Sequence, residues 1–344
     1  MDGSQTQMST VLVTGGSGYL GGWCVVELLR RGYRVRTTVR DLSREAEVRA
    51  RIAPEVDVGD KLSVLAADLS SDDGWEQAVN GCDYVMHVAS PFPPVQPKDP
   101  DELIVPAREG TLRVLRAALG AGVERVVVTS SVAAVGGSTS RASEPLTEET
   151  WTDADNPKLT PYTRSKTIAE RAAWDFAREQ GALEKLAVVN PGAILGPVLS
   201  DDRSFSLELI ERLLKGMPGT PRLGYSIVDV RDVADMQIRA MTVAEAGGER
   251  FIAVNEFWWM SEVAAVLRDR LGADAPKVPK RAVPDLLVRG MAIFDPSIRS
   301  IVGQLGRRVE MSSEKARTLL GWSPRPVEET VVDCAQSLIG EKVV

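Results

Sequence analysis

The amino-acid sequence predicts an α/β protein built on a doubly wound parallel sheet, with a smaller, mainly C-terminal lobe. Two observations predict this fold class. In the first half of the chain, short runs of β-branched residues alternate with longer stretches of helical periodicity, whereas after residue 195 turn-rich segments break up shorter helices. Strands that alternate with helices form parallel sheets that are covered by helices on both faces.

The predicted sheet contains six strands, each a short apolar run bounded by turn residues. They cover residues 10–14, 33–39, 61–67, 83–89, 124–130 and 185–191. Helices are predicted where apolar residues recur at helical spacing, over 19–32, 101–122 and about 160–180. A capped helix within 312–326 should end at Gly321, because prolines follow it.

The composition argues against several classes of function. The 344 residues carry a formal net charge of −7 at pH 7, which disfavours nucleic acid or an anionic membrane as the main partner. The first ten residues, MDGSQTQMST, are polar, and no uninterrupted apolar stretch of about 18 residues occurs. We therefore expect a cytoplasmic protein without a membrane span, whose partner is a small molecule.

Three scattered cysteines and a single histidine exclude further classes. Cys24, Cys82 and Cys334 lack the spacing of metal ligands, so we interpret them as buried thiols and predict no metal site. A Ser-His-Asp hydrolase would have to use His87. That histidine lies in the apolar segment YVMHVAS, where a packed side chain is favoured over a catalytic one.

A glycine-rich segment joins the first predicted strand to the first helix. Its sequence, VTGGSGYLGG, has glycines at 15, 18 and 21, and Gly16, Gly18 and Gly21 also satisfy the pattern G-x-G-x-x-G. Between a strand and a helix, such glycines allow a tight turn, the approach of a pyrophosphate and close packing of the helix on the sheet. The free N–H groups at the helix N-terminus then bind the anion. The segment predicts a dinucleotide-binding Rossmann unit.

The residues after the second strand indicate which dinucleotide binds. An acidic residue there would bind the adenosine ribose, whereas arginine accommodates a 2′-phosphate. The segment TTVRDLSR contains both Arg40 and Asp41, and Arg44 follows about one helical turn later. Two guanidinium groups suit a phosphate dianion better than one carboxylate does. We therefore predict NADP, while a solvated pair of Arg40 and Asp41 is the alternative.

The segment TPYTRSKTIAERAAW contains candidate catalytic residues. Tyr162 and Lys166 are four residues apart and so share one face of a helix. A nearby ammonium favours the phenolate form of a phenol, and the phenol can then exchange a proton with a carbonyl oxygen. Ser130 and Ser131 end the fifth strand, and one of them should donate a hydrogen bond to that oxygen. Only one can do so, because neighbouring strand residues face opposite ways.

Several stretches together carry a family resemblance: VTGGSGYLG, VRD, AADLSSDDGWEQAVNGCDYVMHVASP, VVVTSSVAAV, YTRSKTIAERAAW and VVNPGAILGP. In these stretches the chain resembles the extended short-chain dehydrogenases/reductases, and especially the dihydroflavonol reductase group with its aldehyde and ketone reductase relatives. The resemblance extends over about residues 10 to 330. It implies that Ser131 is the catalytic serine, that Tyr162 is the proton donor and that Lys166 binds the nicotinamide ribose.

The resemblance also implies which residues bind the cofactor NADP. Arg40 and Arg44 would contact the 2′-phosphate, and residues 191 to 194 would border the nicotinamide. The full predicted set is Gly15, Ser17, Gly18, Tyr19, Leu20, Arg40, Arg44, Asp68, Leu69, Val88, Ala89, Ser90, Tyr162, Lys166, Pro191, Gly192, Ile194 and Ser206.

Two departures from relatives in this group bear on the substrate. Cinnamoyl-CoA reductases carry a tryptophan–tyrosine–cysteine stretch before the catalytic lysine, where this chain reads KLTPYTRSK. Plant dihydroflavonol reductases have an asparagine shortly after the catalytic serine, where this chain reads SVAAVGG. These differences disfavour a CoA thioester and a flavonoid as substrates.

The leading hypothesis is NADPH-dependent reduction of an aldehyde or ketone to an alcohol, in a protein that is a monomer or a homodimer. The alternative is a nucleotide-sugar epimerase or dehydratase of the same fold. Dehydratases of that kind carry an Asp–Glu pair just after the catalytic threonine or serine, and the segment SSVAAV contains no carboxylate, which disfavours the dehydratase. A redox-sensing protein without turnover would tend to lose the Tyr162 and Lys166 pair.

We assign residues 8–195 to the dinucleotide-binding domain, with 225–255 returning to it, and 196–224 and 256–340 to a substrate-binding lobe.

Overall fold

The computed structural model describes residues 8–91, 97, 99–139, 142–199, 205–294, 299 and 301–341. Its strands are β1 (Thr10–Thr14), β2 (Arg34–Val39), β3 (Leu62–Ala66), β4 (Tyr84–His87), β5 (Arg125–Thr129), β6 (Leu186–Pro191), β7 (Ala193–Leu195), β8 (Gly224–Asp229), β9 (Arg250–Ala253) and β10 (Glu256–Trp259). The large sheet is parallel throughout and has the order β3-β2-β1-β4-β5-β6-β9. A second sheet has the order β10-β8-β7.

Helices connect the strands and cover the sheets. They are α1 (Tyr19–Arg30), α2 (Glu45–Ile52), α3 (Trp75–Val79), α4 (Asp101–Gly120), α5 (Ala133–Gly136), α6 (Pro161–Glu179), α7 (Phe205–Lys215), α8 (Val230–Thr242), α9 (Met260–Leu271), α10 (Asp285–Met291), α11 (Glu314–Leu320) and α12 (Val327–Gly340). Within the described ranges, none of these helices combines the length and the apolar character needed to cross a bilayer.

The order of the large sheet fixes where a ligand can bind. β1 pairs with β2 on one side and with β4 on the other, so the direction of winding reverses between β1 and β4. Thr14 at the end of β1 lies opposite His87 at the end of β4. In doubly wound sheets, ligands bind at this switch point, beyond the carboxyl ends of the strands. The predicted fold class is confirmed, and it directs a ligand to the edge formed by Thr14 and His87.

Both faces of the large sheet are buried. Val11 and Val13 of β1 pack into the cluster formed with α1 and α8, whereas Leu12 packs into the cluster formed with α4 and α6. All three side chains are fully buried. This two-sided burial explains why the strands could be recognised as nearly continuous apolar runs.

The second sheet and helices α7, α9 and α12 share a separate apolar core, which includes Leu207, Ile210, Val263 and Val331. The strands of this sheet were not predicted from the sequence. β7 and β10 span only three and four residues, too few for an alternating pattern to stand out. Residue Gly321, with φ of 60°, ends α11 as predicted, although the helix is shorter than the segment 312–326.

Residues 225–255 are divided between the two sheets. β8 lies in the second sheet, whereas α8 packs on α1 and β9 extends the large sheet beside β6. This placement follows from the register, because Val188 of β6 pairs with Arg250 of β9. The domain boundaries given above stay a prediction.

Candidate active site

The turn between β1 and α1 requires glycine for steric reasons. Gly15 has φ of 73°, in the left-handed region that other residues rarely adopt. A Cβ atom at Gly21 would lie 2.1 Å from the carbonyl oxygen of Gly15, and one at Gly16 would lie 2.2 Å from Thr37 Oγ1. The N–H of Gly16 donates to that hydroxyl oxygen at 3.0 Å. The helix therefore packs against its own turn at a distance that only glycine permits.

The N-terminus of α1 fits an anion. Gly18 is the N-cap, and no side chain caps the free N–H groups of the first turn, YLGG, which carries no carboxylate. A small cavity lies against this turn, between Ser17 and Arg51. Arg51 donates to the carbonyl oxygen of Ser17 at 2.7 Å. The free N–H groups, the helix dipole and this arginine together suit a phosphate group.

Local hydrogen bonding favours Arg40 over Asp41 as the cofactor contact. The carboxylate of Asp41 accepts from the N–H of Ser43 at 2.8 Å and caps the short 3₁₀ turn Leu42–Arg44. This hydrogen bond is also the main reason why the pKa of Asp41 is lowered. Because the Asp41 carboxylate already accepts a hydrogen bond within its own turn, the neighbouring exposed Arg40 is the better candidate to contact the cofactor.

Arg44 lies beside the glycine turn. Its Nη1 atom is 3.5 Å from Ser17 Oγ, and its guanidinium pairs with Glu47 at 3.0 Å. Glu47 also pairs with Arg51. Arg51 was not among the predicted cofactor residues. It follows Arg44 by seven residues, or two helical turns, and this spacing could have indicated that both arginines lie on the side of α2 that faces the glycine turn.

Thr14 fixes the backbone that faces the glycine turn. Its hydroxyl oxygen accepts from the N–H groups of Val88 and Ala89, at 3.1 and 3.0 Å, and we assign its proton to His87 Nδ1 at 2.9 Å. Burial, and to a lesser degree the charge of Lys166, lowers the pKa of His87 to about 3. The histidine is therefore neutral and packed, as interpreted from the sequence.

Other predicted cofactor residues lie near the carboxyl edge or on the helices beside it. Asp68 accepts from both the N–H and the hydroxyl of Ser70, so its carboxylate caps a turn, and its pKa is lowered mainly by these bonds and less by Arg40. The hydroxyl of Tyr19 donates to the carbonyl oxygen of Gly196 at 2.9 Å. The others are Leu69 after β3, Ser90 after β4, Pro191, Gly192 and Ile194 at β6 and β7, Leu20 in α1 and Ser206 in α7.

The structure places Tyr162 and Ser131 together. Tyr162 is the second residue of α6, a helix that Thr160 caps by accepting from the N–H of Thr163 at 3.1 Å. The hydroxyl groups of Ser131 and Tyr162 are joined by a hydrogen bond. Ser130 instead donates to Glu170 at 2.5 Å, on the side away from Tyr162. The strand alternation thus directs the second serine to the phenol.

Burial controls the proton equilibria of this pair and of Lys166. Burial raises the pKa of Tyr162, and the hydrogen bond from Ser131 offsets only part of that rise. The sequence predicted a lowered pKa for Tyr162, and this prediction is wrong because burial is the largest cause acting on it. Burial lowers the pKa of Lys166 to about 8, although the charge of Glu170 opposes this. The phenol is therefore protonated at neutral pH, which is the form that can donate.

The NAD dependent epimerase/dehydratase family matches residues 11–254. This chain belongs to that family. The match spans the glycine turn, the serine pair, α6 and the whole large sheet as far as β9. The similarity of this chain to a cinnamoyl-CoA reductase and a dihydroflavonol 4-reductase confirms its resemblance to the dihydroflavonol reductase group of extended short-chain dehydrogenases/reductases.

Two curated relatives and one solved structure illustrate the similarity. The chain is 34% identical to cinnamoyl-CoA reductase CAD2 of Medicago truncatula over 340 residues, which cover 97% of each protein. It is 36% identical to dihydroflavonol 4-reductase of Zea mays over 281 residues, covering 77% of this chain and 75% of the relative. The yeast methylglyoxal/isovaleraldehyde reductase Gre2, solved with NADPH, superposes with a TM-score of 0.80 at 26% identity, covering 97% of this chain and all of Gre2.

Proposed function

We propose that this family member catalyses the NADPH-dependent reduction of an aldehyde or ketone to an alcohol. The observation that carries the proposal is the hydrogen-bonded pair of Ser131 and Tyr162, with Lys166 one turn further along the same helix face. The similar proteins named above are reductases, and Gre2 was solved with NADPH. NADPH, when bound, supplies a hydride.

Residues of this chain can stabilise the charge that develops on the carbonyl oxygen and can donate the proton that completes the alcohol. A carbonyl oxygen gains negative charge as its carbon is reduced, and hydrogen-bond donors placed beforehand stabilise that charge. The hydroxyl of Ser131 can donate to this oxygen while the phenol of Tyr162 transfers its proton. Because burial raises the pKa of Tyr162, this proton is held until a more basic alkoxide is formed. Lys166, with a pKa of about 8, carries its positive charge one helical turn after Tyr162 and donates to the carbonyl oxygen of Thr129 at 3.4 Å.

Three observations support NADP as the cofactor. The glycine turn lets α1 begin close against its own loop, and α1 presents its free N–H groups where a pyrophosphate would bind. The carboxylate of Asp41 accepts a hydrogen bond from the backbone N–H of Ser43. Exposed Arg40, together with Arg44, whose guanidinium also pairs with Glu47, is then the cation that we assign to a 2′-phosphate.

The proposed function is tested by incubating the purified chain with NADPH and a panel of carbonyl compounds. The panel contains short aldehydes, diketones, β-ketoesters, flavanones and a cinnamoyl-CoA thioester, and the loss of nicotinamide absorbance is followed. We expect oxidation of NADPH with at least one aldehyde or ketone. No oxidation with any member, together with interconversion of a nucleotide sugar in the presence of NAD, would establish the epimerase alternative instead.

Replacing Arg40 by alanine should reduce the preference for NADPH over NADH. The loss of a guanidinium beside a phosphate dianion raises the KM for NADPH by about tenfold or more and leaves that for NADH within about twofold. The measurement is kcat/KM with each cofactor. Arg178→Ala, which removes an exposed arginine paired with Asp175 at the far end of α6, is the control. An unchanged ratio of the two kcat/KM values would remove Arg40 from the cofactor site.

A cytoplasmic location and a monomeric or homodimeric state stay predictions of the sequence. The substrate itself is proposed only as an aldehyde or ketone, because the two departures noted above disfavour a flavonoid and a CoA thioester. The panel includes both compounds, so it tests those exclusions as well.

A further inference from the structure

The carboxylate of Glu170 is buried in α6, one helical turn after Lys166 and two after Tyr162. Glu170 follows Tyr162 by eight residues and Lys166 by four, so all three belong to one face of α6. The residue is 1% exposed. The reduction proposed above assigns no step to Glu170, and a buried carboxylate is costly unless its partners compensate for the lost water.

The carboxylate of Glu170 joins four elements of the fold. It accepts from Ser130 Oγ after β5 at 2.5 Å, from Asn190 Nδ2 in β6 at 2.7 Å and from Arg250 Nε in β9 at 2.5 Å. Both of its oxygens act as acceptors, which is the pattern of an ionised carboxylate. Through these bonds, helix α6 is fixed against three neighbouring strands of the large sheet, near the carboxyl ends of β5 and β6 and at the amino end of β9.

Two of these partners also hold the backbone of Ser131. The Nδ2 group of Asn190 donates a second hydrogen bond, to the carbonyl oxygen of Ser131, at 3.2 Å. The N–H of Ser130 donates to the carbonyl oxygen of Val189 at 2.8 Å. The peptide unit before Ser130 and the one after Ser131 are thus anchored, and the direction of the Ser131 hydroxyl toward Tyr162 depends on that anchoring.

Arg250 fixes the position of the carboxylate in turn. Its Nη1 donates to the carbonyl oxygens of Glu148 and Thr150, at 2.6 and 3.2 Å. Its guanidinium carbon stacks 3.6 Å from the centre of the Trp151 ring. A planar guanidinium held by two carbonyls and an aromatic face has little freedom to move. The ion pair with Glu170 is therefore a rigid, nearly solvent-free connection across the sheet.

Charge is the second way in which Glu170 acts on the site. The ammonium of Lys166 donates to the carbonyl oxygen of Thr129 at 3.4 Å and is close to Glu170 on its own helix and to neutral His87 of β4, while Tyr162 precedes it by one turn of α6. Burial lowers the pKa of Lys166, and the negative charge of Glu170 is the effect that opposes it. Arg250, the cation paired with Glu170, lies on its other side, in β9.

We propose that Glu170 is a positioning residue that orients Ser131 through Ser130 and Asn190 and keeps Lys166 in its ammonium form. This inference rests on the proposed reduction. Glu170 would touch neither cofactor nor substrate; its effect would pass through the residues that do.

Two substitutions separate the geometric effect from the charge effect. Glu170→Gln keeps the shape of the side chain and removes the charge, whereas Glu170→Asp keeps the charge and withdraws the oxygens from Ser130 and Asn190. Glu179→Gln, at the exposed end of α6, is the matched control. The readouts are kcat and KM against pH with saturating NADPH, and the titration of Lys166 in the cofactor-free protein by NMR of ¹³Cε-labelled lysine. The Lys166 signal is assigned from its absence in Lys166→Arg.

The proposal predicts different results for the two variants. In Glu170→Gln, the Lys166 titration and the alkaline limb of kcat should both move to lower pH by about one unit. In Glu170→Asp, the titration should stay within about 0.3 units of the unsubstituted chain while kcat falls about tenfold at every pH, with KM within about twofold. The control should match the unsubstituted chain in both measurements.

Other outcomes overturn the proposal. If Glu170→Gln shows an unchanged Lys166 titration and an unchanged pH profile, Glu170 is structural only, even if the Tm falls. If Glu170→Gln does not fold, an unchanged kcat in Glu170→Asp has the same meaning. Absence of carbonyl reduction by the unsubstituted chain would defeat the proposed function, whereas the NMR titration would still test the charge effect of Glu170 on Lys166.

Discussion

Replacing Tyr162 by phenylalanine should lower kcat for carbonyl reduction by about 10³-fold and leave the Kd for NADPH within about twofold. The substitution removes the hydroxyl that hydrogen-bonds Ser131 and keeps the ring. The proton for the developing alkoxide is then missing, whereas the glycine turn and the arginines are untouched. The measurements are single-turnover reduction and a fluorescence titration with NADPH.

Tyr84→Phe is the control for this prediction. It also removes a phenol that makes a hydrogen bond, but this phenol donates to Glu124 at 2.8 Å at an exposed position remote from α6. Activity of Tyr84→Phe should match that of the unsubstituted chain. If Tyr162→Phe kept more than about a tenth of its kcat, Tyr162 would not be the proton donor, and another donor would have to be sought.

The second large effect distinguishes two neighbouring hydroxyl groups. Ser131→Ala should lower kcat by about 10²-fold, because it removes a donor to the developing oxyanion. Ser130→Ala removes one of several hydrogen bonds to Glu170, and a net loss of about 1 kcal/mol corresponds to about a fivefold fall in kcat. Steady-state kinetics of both variants with one substrate give the comparison. Equal losses, or a larger loss for Ser130→Ala, would contradict the assignment of Ser131.

Six of the seven strands of the large sheet could be predicted from the sequence because they are buried on both faces; the seventh, β9, has only four residues and was not predicted. Burial on both faces produces apolar runs, and the predicted limits of all six strands differ from the observed ones by at most two residues. The glycine turn was equally readable, because its steric demands act between residues close in sequence. By contrast, β7 and β10 are short and partly exposed, so neither composition nor period indicated them.

Part of the site could not be predicted because it depends on distant residues. The residues alone left Ser130 and Ser131 open, because the choice requires the direction of the strand pleat relative to α6; only the family resemblance implied Ser131. The Arg250 pair with Glu170 joins positions 80 residues apart, and no local pattern connects them. The pKa of Tyr162 depends on its burial, which only the folded chain defines.

The most direct test of the account is a crystal structure of the chain with NADPH and an unreactive carbonyl analogue. We expect the analogue's carbonyl oxygen to lie within hydrogen-bond distance, about 2.6–3.2 Å, of both Tyr162 Oη and Ser131 Oγ. A complex in which that oxygen contacts neither hydroxyl, or in which NADPH binds away from the glycine turn, would contradict it.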